Sequence, residues 1–282
     1  MKRFYIVANP DKENTKNMKT VIERYLKYRG AEAFVAENLP GHGNPYTDPA
    51  DVPENAECVI TLGGDGTLIQ AARDLAKRDL PIIGINMGGL GYLTQIGREG
   101  DVKELLDALL EDRYELQERM MLKGCIYRKG KPLTESIALN DILLTRDGEP
   151  RVLKLDLYVD GQFLNEFSAD GMIVATPTGS TAYNLSAGGP IAQPDGKLMI
   201  LTPVCPHTLT SRSIVFNAKS RIRIEIPETN RGSQVAAFDG DTLVRLENGD
   251  SIEITKAETV TRMVKLDHRS FLDILKTKMY DA

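Results

Sequence analysis

Several classes of protein are excluded by what this sequence lacks. There is no basic surplus: 35 Lys and Arg stand against 40 Asp and Glu, a formal net charge of −5. That balance argues against a nucleic-acid partner, since proteins that bind nucleic acid carry a positive excess. Cysteine is scarce. Cys58, Cys125 and Cys205 are far apart and lack the short spacing of a zinc or redox site, so reduced thiols in a cytosolic setting are expected. Long hydrophobic runs are missing too. None approaches the ~20 apolar residues that a membrane span needs, and Phe4 to Ala8 is too short for a signal peptide and reads as a first β-strand. A soluble, cytoplasmic protein with no membrane partner is expected.

What is present is enough for two cores. The 282 residues are 41% hydrophobic and 27% charged, which predicts two closely apposed globular domains. The first part alternates short apolar strands with amphipathic helices. Strands are predicted at Phe4 to Ala8, Ala33 to Ala36, Cys58 to Leu62 and Pro81 to Ile85. Met18, Val21, Ile22, Tyr25 and Leu26 recur at helical spacing before Gly30. Leu68, Ile69, Ala72 and Leu75 mark a second helix, and Asp101 is placed as the cap of a third. This alternation points to a parallel sheet with helices on its faces.

From about Met121 the period shortens. Leu153 to Val159 and Gln162 to Phe167 flank Asp160-Gly161 as a hairpin. Arg221 to Ile226, Thr242 to Leu246, Ser251 to Thr255 and Val260 to Leu266 read as separate short strands. Phe271, Leu272, Leu275 and Met279 then form one apolar helical face. The fold class is α/β plus all-β. A Rossmann-like α/β domain is expected over residues 1–120 and a β-sandwich-like all-β domain over 121–266, with a C-terminal helix, 267–282, returning to the first. Between Glu37 and Glu57 a polar, proline- and glycine-rich loop is long enough to predict a mobile flap.

Leu62-Gly63-Gly64-Asp65-Gly66-Thr67-Leu68 joins a buried strand to a helix. Such a turn offers bare N–H groups and a helix N-terminus, a concavity suited to phosphate. It has neither the Lys-Ser/Thr ending of the P-loop nor the dinucleotide glycine fingerprint. Asp65 is the informative residue. A carboxylate about 4 Å from a phosphate charge is repelled by roughly 4 kcal/mol at intermediate dielectric. Accepting a proton from an attacking hydroxyl or binding a nucleotide's magnesium would offset that cost; capping the helix is the plain alternative. Three further segments add weight: Met87-Gly88-Gly89-Leu90-Gly91, Leu139-Asn140-Asp141-Ile142, and Asp170-Gly171 leading to Thr176 through Ser186. The last gathers hydroxyls, an amide and an aromatic ring with almost no charge, chemistry suited to ribose and base.

With these residues in view, the sequence resembles the NAD kinases, which transfer phosphate from ATP to the adenosine ribose of NAD. The resemblance rests on Gly63 to Thr67, Asn140-Asp141, Asp170-Gly171, Thr178 to Pro190 and His268-Arg269-Ser270-Phe271, and it spans nearly the whole chain. It implies the bipartite fold read above. It implies that Asp65 is the catalytic carboxylate and that Gly63, Gly64, Gly66 and Thr67 hold phosphate. Asn140 and Asp141 then meet the adenine and Asp170 the nicotinamide side. Thr181, Ala182, Tyr183, Asn184, Leu185 and Ser186 line the dinucleotide site, with Arg151, Ser168 and Asp241 as further contacts. Magnesium and ATP as phosphoryl donor are implied, as is a homo-oligomer, dimer or tetramer, that completes each site from a neighbour. Two departures stand out. Many members have Asn-Glu where this chain has Asn140-Asp141, and some have glutamine at Asp241. The rival readings are a lipid or sugar kinase with the same phosphate turn, and a non-catalytic NAD-binding sensor.

Overall fold

The computed structural model describes residues 1–9, 13–36, 47–86, 91–94, 99–148, 151–208, 210–230, 232–266 and 270–280. The chain divides into two compact units: Met1–Arg119 with Thr259–Ala282, and Met120–Glu258.

In the first unit the elements run β1 (Arg3–Ala8), α1 (Glu13–Tyr28), β2 (Glu32–Val35), β3 (Cys58–Leu62), α2 (Asp65–Asp74), β4 (Ile82–Ile85) and α3 (Glu99–Leu110). The four strands are parallel in the order β2-β1-β3-β4. Alternate residues face opposite sides of a sheet. Phe4, Ile6, Ile60 and Ile83 pack with Met18, Ile22 and Leu26 of α1 and with Leu105 and Leu109 of α3. Gly84 faces the other way, where α2 buries Leu68 and Ala71. The chain steps outward from β1 to β2 and then in the opposite direction from β3 to β4. The carboxyl ends of β1 and β3 therefore form a topological switch point, where open α/β sheets take their ligands.

Two expectations change here. Asp101 lies inside α3 and not at its cap, because the helix begins two residues earlier. In the long loop, residues 37–46 lie outside the described residues, but Thr47, Val52 and Ala56 are buried. Thr47 Oγ1 donates to Asp74 Oδ2 at 2.8 Å, so 47–57 is packed down and is not a free flap.

The second unit is built from strands. They are β5 (Glu115–Arg128, whose first residues belong to the first unit), β6 (Lys131–Ala138), β7 (Asp141–Asp147), β8 (Leu153–Val159), β9 (Gln162–Ala169) and β10 (Gly171–Ala175). After the short helix α4 (Tyr183–Ser186) come β11 (Leu198–Val204), β12 (Ile214–Asn217), β13 (Ile222–Glu225), β14 (Ser233–Phe238), β15 (Thr242–Leu246) and β16 (Ser251–Lys265). One antiparallel sheet has the order β12-β11-β10-β7-β14-β15; a second layer contains β16-β13-β8-β9. Leu155, Leu157, Ile224 and Ile254 from that layer meet Ile142, Leu144, Met172, Val174 and Phe238 from the six-stranded sheet in one core. This is the β-sandwich architecture read from the sequence. The β8–β9 turn uses Asp160 and Gly161 at φ +51° and +82°, the two left-handed positions that a tight hairpin needs.

The strands expected at Ser251 to Thr255 and Val260 to Leu266 are one strand, β16. The polar residues between them do not break it: Ala257 stays buried, and the buried face changes phase there, from Ile252 and Ile254 to Ala257, Thr261 and Met263. The final helix, α5 (Phe271–Tyr280), belongs to the first unit. Its less exposed side carries Phe271, Ile274 and Leu275, whereas Leu272 and Met279 are 62% and 52% exposed. A 3.6-residue period from Phe271 selects Ile274 and Leu275, so the expected apolar face is rotated. Among the described residues no helix is long and apolar enough to cross a membrane.

Candidate active site

The glycine-rich turn sits at the switch point of the first unit. The Gly63 N–H closes on Ile85 O at 3.0 Å, and the Asn9 N–H at the end of β1 closes on Leu62 O at 2.9 Å. Helix α2 begins at Asp65 with Gly64 as N-cap and no side-chain cap. Its first-turn N–H groups and the positive end of its dipole therefore point out of the turn. Thr67 folds back so closely that a Cβ at Gly63 would overlap its hydroxyl, and Asn9 Nδ2 donates to Thr67 Oγ1 at 3.3 Å. Gly66 is exposed, and a Cβ there would meet nothing within 4 Å. The open wall of the turn is at Gly66 and the α2 N-terminus.

Asp65 does not cap its own helix. Its carboxylate reaches the segment that follows β4. Oδ1 accepts from the Thr94 hydroxyl (2.8 Å), the Thr94 N–H (3.0 Å) and the Leu93 N–H (3.3 Å), while Oδ2 accepts from the Tyr92 N–H (2.8 Å). Gly91 is required at this approach, because a Cβ there would overlap Asp65 Oδ1. Of the second glycine-rich turn, residues 87–90 lie outside the described residues; its end is thus tied to the first turn through Asp65. A carboxylate has about four acceptor directions. Oδ1 is saturated, and Oδ2 keeps one direction open. Lys278 Nζ of α5 lies 5.7 Å from the centre of the Tyr92 ring.

In the second unit the sequence-predicted residues fall at two ends of β7. At its start stand Asn140 and Asp141. Asp141 pairs with Ala175 of β10, so the segment after β10 arrives beside them. The Thr176 hydroxyl donates to Leu139 O (2.6 Å), and its N–H to Asn140 O (2.8 Å). Gly179 packs against the Asn140 backbone with no room for a Cβ. Thr181 is half-buried, with its hydroxyl on Thr178 O at 3.3 Å. Ala182 is half-buried, and Tyr183, Leu185 and Ser186 are exposed. Asn184 is fully buried. Its Nδ2 donates to Ser180 O and Pro190 O (both 3.1 Å), and its Oδ1 accepts from Thr202 Oγ1 (2.7 Å), so its amide is spent on holding the segment's shape. Asp241 arrives at the same end in the turn after β14, its N–H on Phe238 O at 3.1 Å. Here, among the described residues, Asn140 Oδ1 and Thr178 Oγ1 are buried polar atoms without a hydrogen-bond partner, a condition that ordered water or a polar ligand relieves.

Asp170 is not brought to that end. Arg146 Nη2 donates to its Oδ2 at 3.0 Å, and Arg146 lies five residues along β7 from Asp141, about 17 Å at strand rise. Ser168, whose carbonyl accepts from the His207 N–H at 2.8 Å, and Arg151, beside Gly232, belong to this far end. Among the described residues no three His, Cys, Asp or Glu side chains cluster as a metal cage.

Asp141 has an unusual environment. Burial, and then the neighbouring Asp239 carboxylate, raise its pKa from 3.8 to about 7. Folding therefore favours the neutral form. The contribution to stability is complete below about pH 4 and is lost as pH rises through about 7. Asp141→Asn, neutral at every pH, is expected to flatten the fall in melting temperature between about pH 4 and 7. An unchanged slope would place the titration elsewhere.

The two halves match two family models: residues 4–114 the ATP-NAD kinase N-terminal domain and 139–266 the ATP-NAD kinase C-terminal domain. The chain belongs to the NAD kinase family. Its similarity to the NAD kinase of Lachnospira eligens is 45% identity over 298 residues, covering 99% of this chain and 100% of that one. With the NAD kinase of Agathobacter rectalis it is 41%, covering 99% of each. The crystal structure of an NAD kinase from Archaeoglobus fulgidus in complex with ATP superposes with a TM-score of 0.76 at 27% identity, over 97% of this chain and 98% of that one. Yeast NADH kinase complexed with NADH shares the fold, with a TM-score of 0.86 at 24% identity over 100% and 89%. This NAD kinase fold puts the Asp65 turn and the Asn140-Asp141 turn in different units.

Four residues of these surroundings escaped the sequence reading: Asn9, Thr94, Arg146 and Asp239. Only Asp239 carried a signal, as the first residue of an Asp-Gly turn.

Proposed function

We propose that this chain phosphorylates NAD at the 2′-hydroxyl of its adenosine ribose, taking the γ-phosphoryl group of ATP and giving NADP and ADP. The observation that carries this reading is the match of both halves to the two ATP-NAD kinase domains. The geometry supports it residue by residue. Gly63, Gly64, Gly66 and Thr67 shape the turn whose N–H groups receive phosphate oxygens. Oδ2 of Asp65, with one acceptor direction open, takes the proton as the ribose oxygen attacks the γ-phosphorus and the bond to ADP breaks. The four hydrogen bonds on that carboxylate fix its position before substrate arrives, which favours in-line transfer.

Asn140, Asp141, Thr178, Thr181 and Asp241 gather at one end of the sandwich to hold the dinucleotide; the two unpartnered polar atoms there fit a nucleotide's hydrogen-bonding groups. Tyr183, Leu185 and Ser186 present exposed side chains beside them. Asp170, Arg151 and Ser168 stand at the far end of β7, which supports a homo-oligomer in which they meet a ligand held by a second copy. Magnesium fits as a companion of the triphosphate, since it binds through one or two carboxylates, phosphates and water. The ion would neutralise charge on the phosphates, and the one open direction of Asp65 Oδ2 is left for the ribose proton. We place this activity in the cytoplasm.

Incubation of the purified protein with NAD, ATP and magnesium is expected to yield NADP, read by a NADP-specific dehydrogenase. ATP consumption that ignores NAD and follows a lipid or sugar alcohol would overturn the reading.

A further inference from the structure

We propose that Asp239 is a positioning residue of the dinucleotide site, whose carboxylate fixes the Asn140-Asp141 turn from below. The inference rests on NAD being the ligand at that turn. Three successive backbone N–H groups converge on this one side chain. Leu139 donates to Oδ2 at 2.8 Å, and Asn140 and Asp141 donate to Oδ1 at 2.7 and 3.2 Å. The Asp239 N–H returns to Asp141 O at 3.0 Å. The contact joins residues about a hundred positions apart; the β7–β14 ladder, whose last pair is Ile142 with Phe238, delivers Asp239 to the turn, and its side chain then takes the three N–H groups. Asp239 also sits at φ +53°, a left-handed conformation that costs a non-glycine residue energy. Glycine would relieve that strain but would leave three N–H groups without their acceptor.

The turn is thereby held on two sides. Thr176, following β10, takes its carbonyls, and Asp239, following β14, takes its N–H groups. Both strands flank β7; Asp141 is buried there and Asn140 Oδ1 is left without a partner among the described residues.

Charge adds a second consequence. After burial, the neighbouring Asp239 carboxylate is the second cause that raises the Asp141 pKa. Asp241 follows two residues later in the same turn. From 171 to 194 the chain has no charged residue, and Tyr183 is its titratable one. On β6 the nearest charge, Glu135, is paired with Lys123 at 2.7 Å.

The test is steady-state kinetics of the wild type, Asp239→Asn and Asp239→Glu across about pH 5.5 to 8.5, with NAD and ATP each varied. Asparagine offers one oxygen and turns an N–H₂ toward one of the three donors. Asp239→Asn is expected to raise KM for NAD by about tenfold, with kcat within about threefold and KM for ATP unchanged. The step in kcat/KM for NAD near pH 7 moves about one unit lower. Asp239→Glu keeps the charge but misplaces the oxygens, so KM for NAD rises while the step stays. Should Asp239→Asn fail to fold, Asp239→Glu decides by its KM. An active wild type with an NAD KM and pH step that neither variant alters overturns the role of Asp239. A wild type that forms no NADP overturns the functional reading instead.

Discussion

Asp65→Asn is expected to lower NADP formation by about 10²- to 10⁴-fold, the range over which a positioned base contributes, while NAD still binds. Among the described residues of the phosphate turn Asp65 carries the carboxylate, and the proposed reaction uses it to accept the ribose proton. Its Oδ2 carries a single hydrogen bond, from the Tyr92 N–H. Asparagine cannot accept that proton, and it disturbs the second turn as well. With its oxygen at the Thr94 side, its N–H₂ faces the Tyr92 N–H, donor against donor. A loss of about 1–2 kcal/mol in stability should accompany the loss of turnover. Circular dichroism and calorimetric titration with NAD, run beside the kinetic assay, separate the two effects. Turnover within a few fold of wild type would remove Asp65 from the chemistry and leave it as the tie between two turns.

Gly179→Ala should be nearly as damaging for a different reason. This glycine does not need an unusual backbone angle; it needs the absence of a side chain. A Cβ would stand 2.7 Å from Asn140 Cα and overlap the Asn140 carbonyl, and that carbonyl is held by the Thr176 N–H. Neither neighbour is the free end of a flexible side chain, so the 176–181 segment or the Asn140 turn must move. Overpacking of this kind costs about 1–3 kcal/mol, measurable by denaturant titration. Displacement of Asn140 should raise KM for NAD by about tenfold. An alanine variant with wild-type stability and wild-type KM would show that this close approach is not needed.

The sequence revealed most where local rules act. Cys58 to Leu62 is a continuous apolar run that ends in glycines, and it is the observed β3, followed by the turn. Asp160-Gly161 demanded a hairpin because two adjacent left-handed positions suit few other pairs. The motifs proposed to bind ligand stand out in the sequence because they are contiguous: Gly63 to Thr67, Asn140-Asp141 and Thr178 to Ser186 each keep their residues side by side. Partnerships across the chain were not legible. Asp65 finds Thr94 29 positions away, and Asp239 finds Leu139 100 positions away, with no periodicity to announce either. Sequence alone likewise could not separate Asn184, consumed by internal hydrogen bonds, from its neighbours Tyr183 and Leu185, which are exposed. The mostly exposed strand β6 lacks the apolar alternation by which strands are recognised, and in β16 polar residues concealed a continuous ladder.

The most direct measurement follows the phosphoryl group itself. The purified protein is given ATP labelled in the γ-phosphate, magnesium and NAD, and the products are separated. The label should appear in the 2′-phosphate of NADP in proportion to ADP formed, and the transfer should nearly vanish in Asp65→Asn. Label released as inorganic phosphate with NAD unchanged, or transferred equally well by Asp65→Asn, would contradict it.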